Sequence, residues 1–318
     1  MTRPFRFMGP IPEPQPKGRW QDALRRMEDL GFSSARVVDH FTETSALEPI
    51  TAMTAAVAVT RRLRVVSLVA CNDYRHPVMT HRMAAFIDVL SEGRLELGLG
   101  AGWMRSDYDA AGIGYDTAAV RIARLGEAVS VIKRLFGDAP VDHHGEHYRI
   151  SGLNGLPKPV QRPHPPLLIG GGGRRILSLA AREADIVGIN ANMRAGAVTS
   201  EAAADLGPDS IAEKVLWVRE AALAAGRQPD SYELQISCFV TNVTKTTEAA
   251  RQALEGVAGY FGMSGADEVA TSPGVLVGTV EQCVETLQER RERYGFSYFD
   301  LRADPETTAP IVARLSGT

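Results

Sequence analysis

The sequence predicts an α/β fold, a closed (β/α)8 barrel of the TIM type, on three observations. Hydrophobic periodicity alternates between short β-branched or apolar runs and longer helical stretches, eight times over. No shift in composition marks a linker anywhere in the 318 residues. The length suits a single α/β barrel as well as it suits two ordinary domains. Alternating strand and helix implies a parallel sheet, and eight units imply closure. The alternative is an open, doubly wound sheet. The expected unit is one domain, residues 1–318, with an inserted excursion between strands four and five.

The elements follow in order. Residues 5–8 form a short apolar strand. Residues 20–30 have helical spacing and stop at Gly31, a good C-cap. Residues 35–38 are the second strand, residues 51–60 an Ala-rich helix, residues 63–70 a β-branched third strand. Residues 76–90 are helical, with Pro77 at the first-turn position proline favours. Residues 95–100 make strand four and residues 120–136 a long helix. Residues 137–166, rich in Pro, Gly and His, are the irregular excursion. Then come strand 167–169, helix 175–182, strand 185–189, helix 211–225, strand 232–243, helices 248–260 and 280–294, strand 298–302 and helix 309–315.

Composition narrows the function. The net charge is -3, with acids and bases mixed along the chain, so there is no nucleic-acid footprint. Cys71, Cys238 and Cys283 lie far apart with no CxxC, against a disulfide framework or zinc site. No run approaches the roughly 20 apolar residues of a membrane span, and the first residues lack an apolar signal core. A reduced, cytoplasmic protein is expected.

A barrel puts its functional groups at the C-terminal ends of the strands. Strand four ends in GRLELGLGAGW, with Gly98, Gly100 and Gly102 at every second position. A dinucleotide fingerprint fails here, because Trp103 stands where its third glycine belongs. Two readings remain. The glycines serve a tight turn with close packing, or they admit a planar ring against the strand end. Strand five ends in Gly170, Gly171, Gly172 and Gly173, followed by Arg174 and Arg175 and then a helix. Backbone N–H groups at a helix N-terminus form an anion site, and the missing Lys-Ser/Thr argues against triphosphate hydrolysis; the plain alternative is a flexible loop. Strand two ends in Asp39-His40-Phe41. Histidine there suits general acid–base work, with a nearby carboxylate to orient it; the alternative is a satisfied polar turn. Arg75 either binds an anion or pairs across the rim. His143, His144, Glu146 and His147 lack metal-site spacing and suggest a hairpin; no metal is expected.

Together these phrases resemble the luciferase-like monooxygenase superfamily, and within it the F420 (deazaflavin)-dependent oxidoreductases. The matching stretches are LGFSSARVVDHF, YRHPVMTHRMAAFIDVLSEGRLELGLGAGW, GLPKPVQRPHPPLLIGGGG and AREADIVGINA, in the family's order. The resemblance implies a barrel with the ring of F420 or FMN at its C-terminal mouth. The ring would lie by Leu68, Val69, Ala70 and Cys71, where relatives often have a non-prolyl cis peptide, and by Gly100, Ala101 and Gly102. The phosphate would sit at Gly170, Gly171, Gly172, Gly173 and Arg174, with Ile189 and Asn190 nearby. Asp39 would contact the ring and His40 the substrate, with Glu43 as a second proton carrier and Phe41 and Trp103 shaping the pocket. Relatives are usually dimers, so a homodimer is expected. This chain departs from some relatives in having Trp103 where they carry an acidic residue.

The expected activity is hydride transfer by F420 to or from a small organic substrate at C=C, C=N or C=O. Arginine far outnumbers lysine, a bias of GC-rich genomes, and many makers of F420 are GC-rich. The first alternative is an FMN-dependent two-component monooxygenase with a flavin reductase partner. The second is a barrel that binds a ligand without catalysis.

Overall fold

Eight parallel strands close on themselves in chain order: β1 (Arg6–Pro10), β2 (Ser34–Val37), β3 (Arg64–Ser67), β4 (Leu95–Gly100), β5 (Leu167–Gly171), β6 (Ile186–Ile189), β7 (Glu233–Cys238) and β8 (Phe296–Leu301), with β8 pairing back to β1. The computed structural model describes residues 3–42 and 46–318. The barrel is the fold the strand–helix rhythm predicts. Most element ends shift by one to three residues, as expected where helix ends fray and strand ends are set by pairing.

Two elements differ more. The third strand is interrupted: β3 ends at Ser67, the Leu68–Val69 peptide is cis, and a two-residue bridge, Ala70–Cys71, resumes pairing with β4. The expected strand 232–243 is two strands. β7 stays in the barrel, whereas Val240–Val243 leaves it and pairs in parallel with Val275–Gly278. No glycine or proline marks the break, so the apolar run reads as continuous.

Around the barrel run α1 (Lys17–Asp29), α2 (Pro49–Val59), α3 (Pro77–Leu90), α4 (Arg105–Ala111), α5 (Ala118–Phe136), α6 (Arg174–Glu183), α7 (Ser200–Ala204), α8 (Pro208–Ala224), α9 (Thr247–Ala258), α10 (Ala266–Ala270), α11 (Val280–Tyr294) and α12 (Pro305–Leu315). Seven of these helices have a side-chain N-cap, whereas α1, α4, α6, α8 and α10 have none. Thr279 and Gln282 form a capping box on α11, which closes at Gly295 with φ 90°. Such an N-cap contributes about 1 kcal/mol. No described helix is long and apolar enough to cross a membrane.

The excursion holds the expected hairpin, Val141–His144 against Arg149–Leu153. Glu127 of α5 ties it down: Oε1 lies 2.9 Å from His143 Nε2 and accepts the Tyr148 amide, and Oε2 accepts the His147 amide.

Alternate strand residues point into the barrel and stack in layers. The floor, at the N-terminal ends, is ionic. Arg6 pairs with Glu96 and Glu233, and Arg64 also reaches Glu96. A cavity of about 560 Å³ opens there, lined by Arg6, Arg64, Glu96 and Glu233. Because those charges already neutralise one another, it reads as the underside of a structural plug rather than the reactive end. Above it, Met8, Val66, Leu168, Ile186 and Tyr298 form an apolar layer. The Tyr298 hydroxyl donates to Glu96 Oε2 at 2.8 Å and joins the two layers.

Candidate active site

At the end of β2, Asp39 and His40 take separate partners. Asp39 is buried; its Oδ2 accepts the Cys71 amide at 2.8 Å and Arg75 Nη1 at 2.5 Å, and its Oδ1 accepts Arg75 Nη2 at 3.2 Å. Arg75 continues to Glu48, the N-cap of α2, at 2.9 Å. Asp39 therefore fastens the resumed third strand to β2, and Arg75 pairs across the rim.

His40 turns the other way. Its Nδ1 lies 2.6 Å from Oδ2 of Asp107 on α4, and Asp107 is fully buried. Oδ1 of the same carboxylate accepts the Phe41 amide at 3.0 Å, the Thr42 amide at 3.0 Å and the Thr42 hydroxyl at 2.7 Å. Burial alone would raise the Asp107 carboxyl, but the bonds from His40, Thr42 and Phe41 outweigh it and hold the group below its ordinary range. An ionised carboxylate thus sets the ring, with Nδ1 as the nitrogen that carries hydrogen. Among the described residues Nε2 has no hydrogen-bond partner. The Trp103 ring meets the imidazole edge-on, centroids 5.4 Å apart. Phe41 is half-exposed and packs on Tyr74 at 4.4 Å. Glu43 lies outside the described residues.

The strand-four glycines answer to the protein's own atoms. A Cβ on Gly98 would stand 1.8 Å from the Ser67 carbonyl oxygen, and one on Gly100 2.5 Å from a Val69 methyl. Gly102, at φ +74°, would drive its Cβ to 1.8 Å from the Tyr108 hydroxyl. Close packing is thus sufficient by itself to require all three as glycine. Leu68 and Val69 are partly buried beside this strand end, Ala70 pairs with Leu99 and Cys71 with Gly100. Burial pushes the Cys71 thiol up to about 11, so it is no ready nucleophile. Ala101 is buried.

At the end of β5 the four glycines divide. Gly171 is confined by Ile176 and Gly172 by the Ala191 carbonyl, where a Cβ would come within 2.4 and 2.1 Å. Gly170 and Gly173 have room, with nearest atoms at 3.4 and 3.7 Å. Gly173 is the N-cap of α6 and offers no side chain, so first-turn amides are left without a side-chain cap. This arrangement fits an anionic group. The Arg174 guanidinium points to Glu220 at 3.3 Å, along α8. Ile189 is buried, and Asn190 bonds the Ala191 amide. Beneath this loop Lys214, almost fully buried, donates to the Asn190 carbonyl at 3.0 Å, the Asp205 carbonyl at 2.8 Å and Asp205 Oδ2 at 2.6 Å.

The reading of strand ends missed Asp107, Lys214 and Arg36. Asp107 sits on a short helix whose sequence, RSDYDAA, shows no apolar period. Lys214 falls inside a helix that reads as ordinary. Arg36 lies within β2, and the inward alternation of that strand was its only signal.

Comparison with known proteins adds the following. The family model described as luciferase-like monooxygenase matches residues 3–297. The FMNH(2)-dependent dimethylsulfone monooxygenase of Pseudomonas putida is 27% identical over 172 residues, 54% of this chain and 47% of its own length. The chain thus spans about half of that relative. The 5,10-methylenetetrahydromethanopterin reductase of Methanopyrus kandleri is 22% identical over 92% of this chain and 84% of its own. Among solved structures, an F420-dependent secondary alcohol dehydrogenase in complex with an F420-acetone adduct superposes with a TM-score of 0.78 at 19% identity, covering 98% of both chains. At that identity the likeness shows the fold.

Proposed function

We propose, from the premise that the chain belongs to the luciferase-like monooxygenase family, that it is an F420-dependent oxidoreductase acting on a small organic substrate. Bound F420 supplies hydride exchange at a carbon centre. The observation that carries the reading is His40: an imidazole set by a buried, ionised carboxylate, with its second nitrogen free at the reactive end of the barrel. Nε2 gives or takes the proton that accompanies reduction or oxidation of the substrate, and Asp107 stabilises the charged ring meanwhile.

The uncapped start of α6, with Gly170 and Gly173, would hold the cofactor's phosphate. Leu68, Val69, Ala70, Cys71, Ala101 and the glycines of strand four would flank the ring, with Asp39 bracing that wall. Ile189, Asn190 and Arg174 would border it on the other side. Phe41 and Trp103 would shape the substrate pocket, and Glu43 would be the second proton carrier. On this reading the chain works as one barrel domain, in the cytoplasm, as a homodimer.

The match to the FMNH(2)-dependent monooxygenase favours a second reading, in which FMN replaces F420 and a flavin reductase partner is required. Titration of the apo protein with F420 and with FMN, read by tryptophan fluorescence with Trp103→Phe as the control, tests both. Binding of F420 alone supports the proposal. Binding of FMN alone overturns it in favour of the second reading, and binding of neither overturns both.

A further inference from the structure

We propose that the barrel mouth carries a subsite for an oxyanion on the substrate, a carboxylate in the simplest case, formed by Arg36 and Arg302 over the buried side chain of Asp300. The inference deepens the function proposed above and rests on its placing of the reactive end at the strands' C-terminal side.

Met8 pairs with both Ser34 and Asp300, and Pro10 with Arg36. Ser34 and Tyr298 meet inside the barrel, so two residues further on Arg36 and Asp300 also face inward, one layer nearer the mouth. Arg36 Nε donates to Asp300 Oδ1 at 3.0 Å, and Arg302 Nε donates to Oδ2 at 3.1 Å. Asp300 is fully buried, while the two arginine side chains are 13% and 31% exposed. The cluster therefore holds two guanidinium groups against one carboxylate. Burial would raise the Asp300 carboxyl, but Arg36 and Arg302 outweigh it and keep the group ionised. Its charge is spent on bracing the pair, and one positive charge remains.

Arg290 and Arg94, by contrast, spread their donors over several acceptors. Arg290 donates to the Pro273, Ser272 and Val275 carbonyls. Arg94 donates to the Ser91, Leu63 and Val57 carbonyls and to the Thr60 hydroxyl. Arg36 and Arg302 spend one N–H each, and their terminal Nη edges have no hydrogen-bond partner among the described residues. Arg302 is further steadied against Phe239, 4.5 Å from its ring centroid. Two braced guanidinium edges with free donors and a net positive charge match a planar oxyanion, which they can grip in bidentate fashion. Arg36 precedes His40 by four residues at the end of one strand, so their Cα atoms lie within about 14 Å of each other and both residues belong to the same end of the barrel.

The test uses benzoate as probe and benzamide, its neutral near-isostere, titrated calorimetrically into the apo protein at fixed ionic strength. Wild type is compared with Arg302→Gln and Arg36→Gln, each checked by thermal melting. Benzoate is expected to bind and benzamide not, and Arg302→Gln to weaken benzoate roughly tenfold or more while melting as wild type does. Arg302→Gln decides the matter if Arg36→Gln fails to fold. Absence of benzoate binding, equal binding of benzamide, or undiminished binding to Arg302→Gln overturns the subsite. So does loss of F420 or FMN affinity in Arg302→Gln with benzoate as competitor, because the oxyanion would then be the cofactor's. Benzoate binding without affinity for either cofactor leaves the subsite standing and removes the proposed function instead.

Discussion

The imidazole of His40 rests on a carboxylate 67 residues further along the chain, with Nδ1 2.6 Å from Asp107 Oδ2. The same Asp107 accepts the two amides that follow His40. One buried charge thus fixes both the ring and the turn that carries it. Asp107→Asn keeps the size and removes the charge, and it permits either ring nitrogen to carry the hydrogen. Turnover is expected to fall on the order of 10²-fold with cofactor affinity retained. The ¹⁵N shifts of the ring should show a changed tautomer balance. Unchanged turnover together with an unchanged tautomer would remove Asp107 from the mechanism.

The packing account of strand four gives a stability prediction. A methyl on Gly98 would fall 1.8 Å from the Ser67 carbonyl oxygen, a backbone atom that moves only with the strand. Gly98→Ala should cost about 3 kcal/mol or prevent folding. Gly256→Ala, inside α9 with nothing near its Cβ, should be neutral or slightly stabilising. Chemical denaturation of both variants checks the pair, and a Gly98→Ala protein as stable as wild type would show that β3 can yield.

How far the sequence carried the reading depends on what each element obeys. Leu95–Gly100 and Val280–Tyr294 agree residue for residue. The first carries leucine at alternate positions, and the second is bounded by a cap and a glycine, so local chemistry sets both. The hairpin at His143 was visible because its residues suit no helix. Asp39 and His40 stand out as a pair, but sequence adjacency does not show that one turns to Arg75 and the other to Asp107. The partner of His40 depends on how α4 docks, and α4 has no apolar stripe of its own. The inward face of β2 and β8 carries Arg36 and Asp300 where a core reading expects apolar residues, so their pairing emerges only once the barrel closes.

The anion cradle at α6 is best tested at Gly173. Gly171, a more obvious choice, would clash with Ile176 and confound binding with misfolding. Gly173 has φ -97° and ψ 153°, which any residue adopts, and open space for a side chain. Aspartate is a favoured N-cap, so Gly173→Asp should leave stability unchanged or raise it by a few tenths of a kcal/mol. The same carboxylate occupies the anion position and repels a phosphate, so cofactor affinity should drop on the order of tenfold or more. A variant that melts higher yet binds the cofactor as wild type does would place the phosphate elsewhere.

His81 supplies the pH prediction. It lies on α3, 1% exposed, packed on Phe136 with ring centroids 4.9 Å apart. Neither ring nitrogen makes a hydrogen bond. Burial first, then the charges of Lys158 and Arg82, push its pKa down to about 4, and the nearby Leu135 carbonyl opposes them only weakly. The unfolded chain binds this proton near the ordinary value of about 6.5. Between those two values the unfolded state holds the proton and the folded state does not. Stability from this residue is therefore intact above pH 6.5 and declines as pH falls towards 4, by a few kcal/mol at most. His81→Leu removes both the titration and two unpaired polar atoms. Its denaturation midpoint should exceed that of wild type, with a gap that widens from pH 8 to pH 5. A gap that stays constant across that range would mean that His81 does not titrate differently in the folded and unfolded chains.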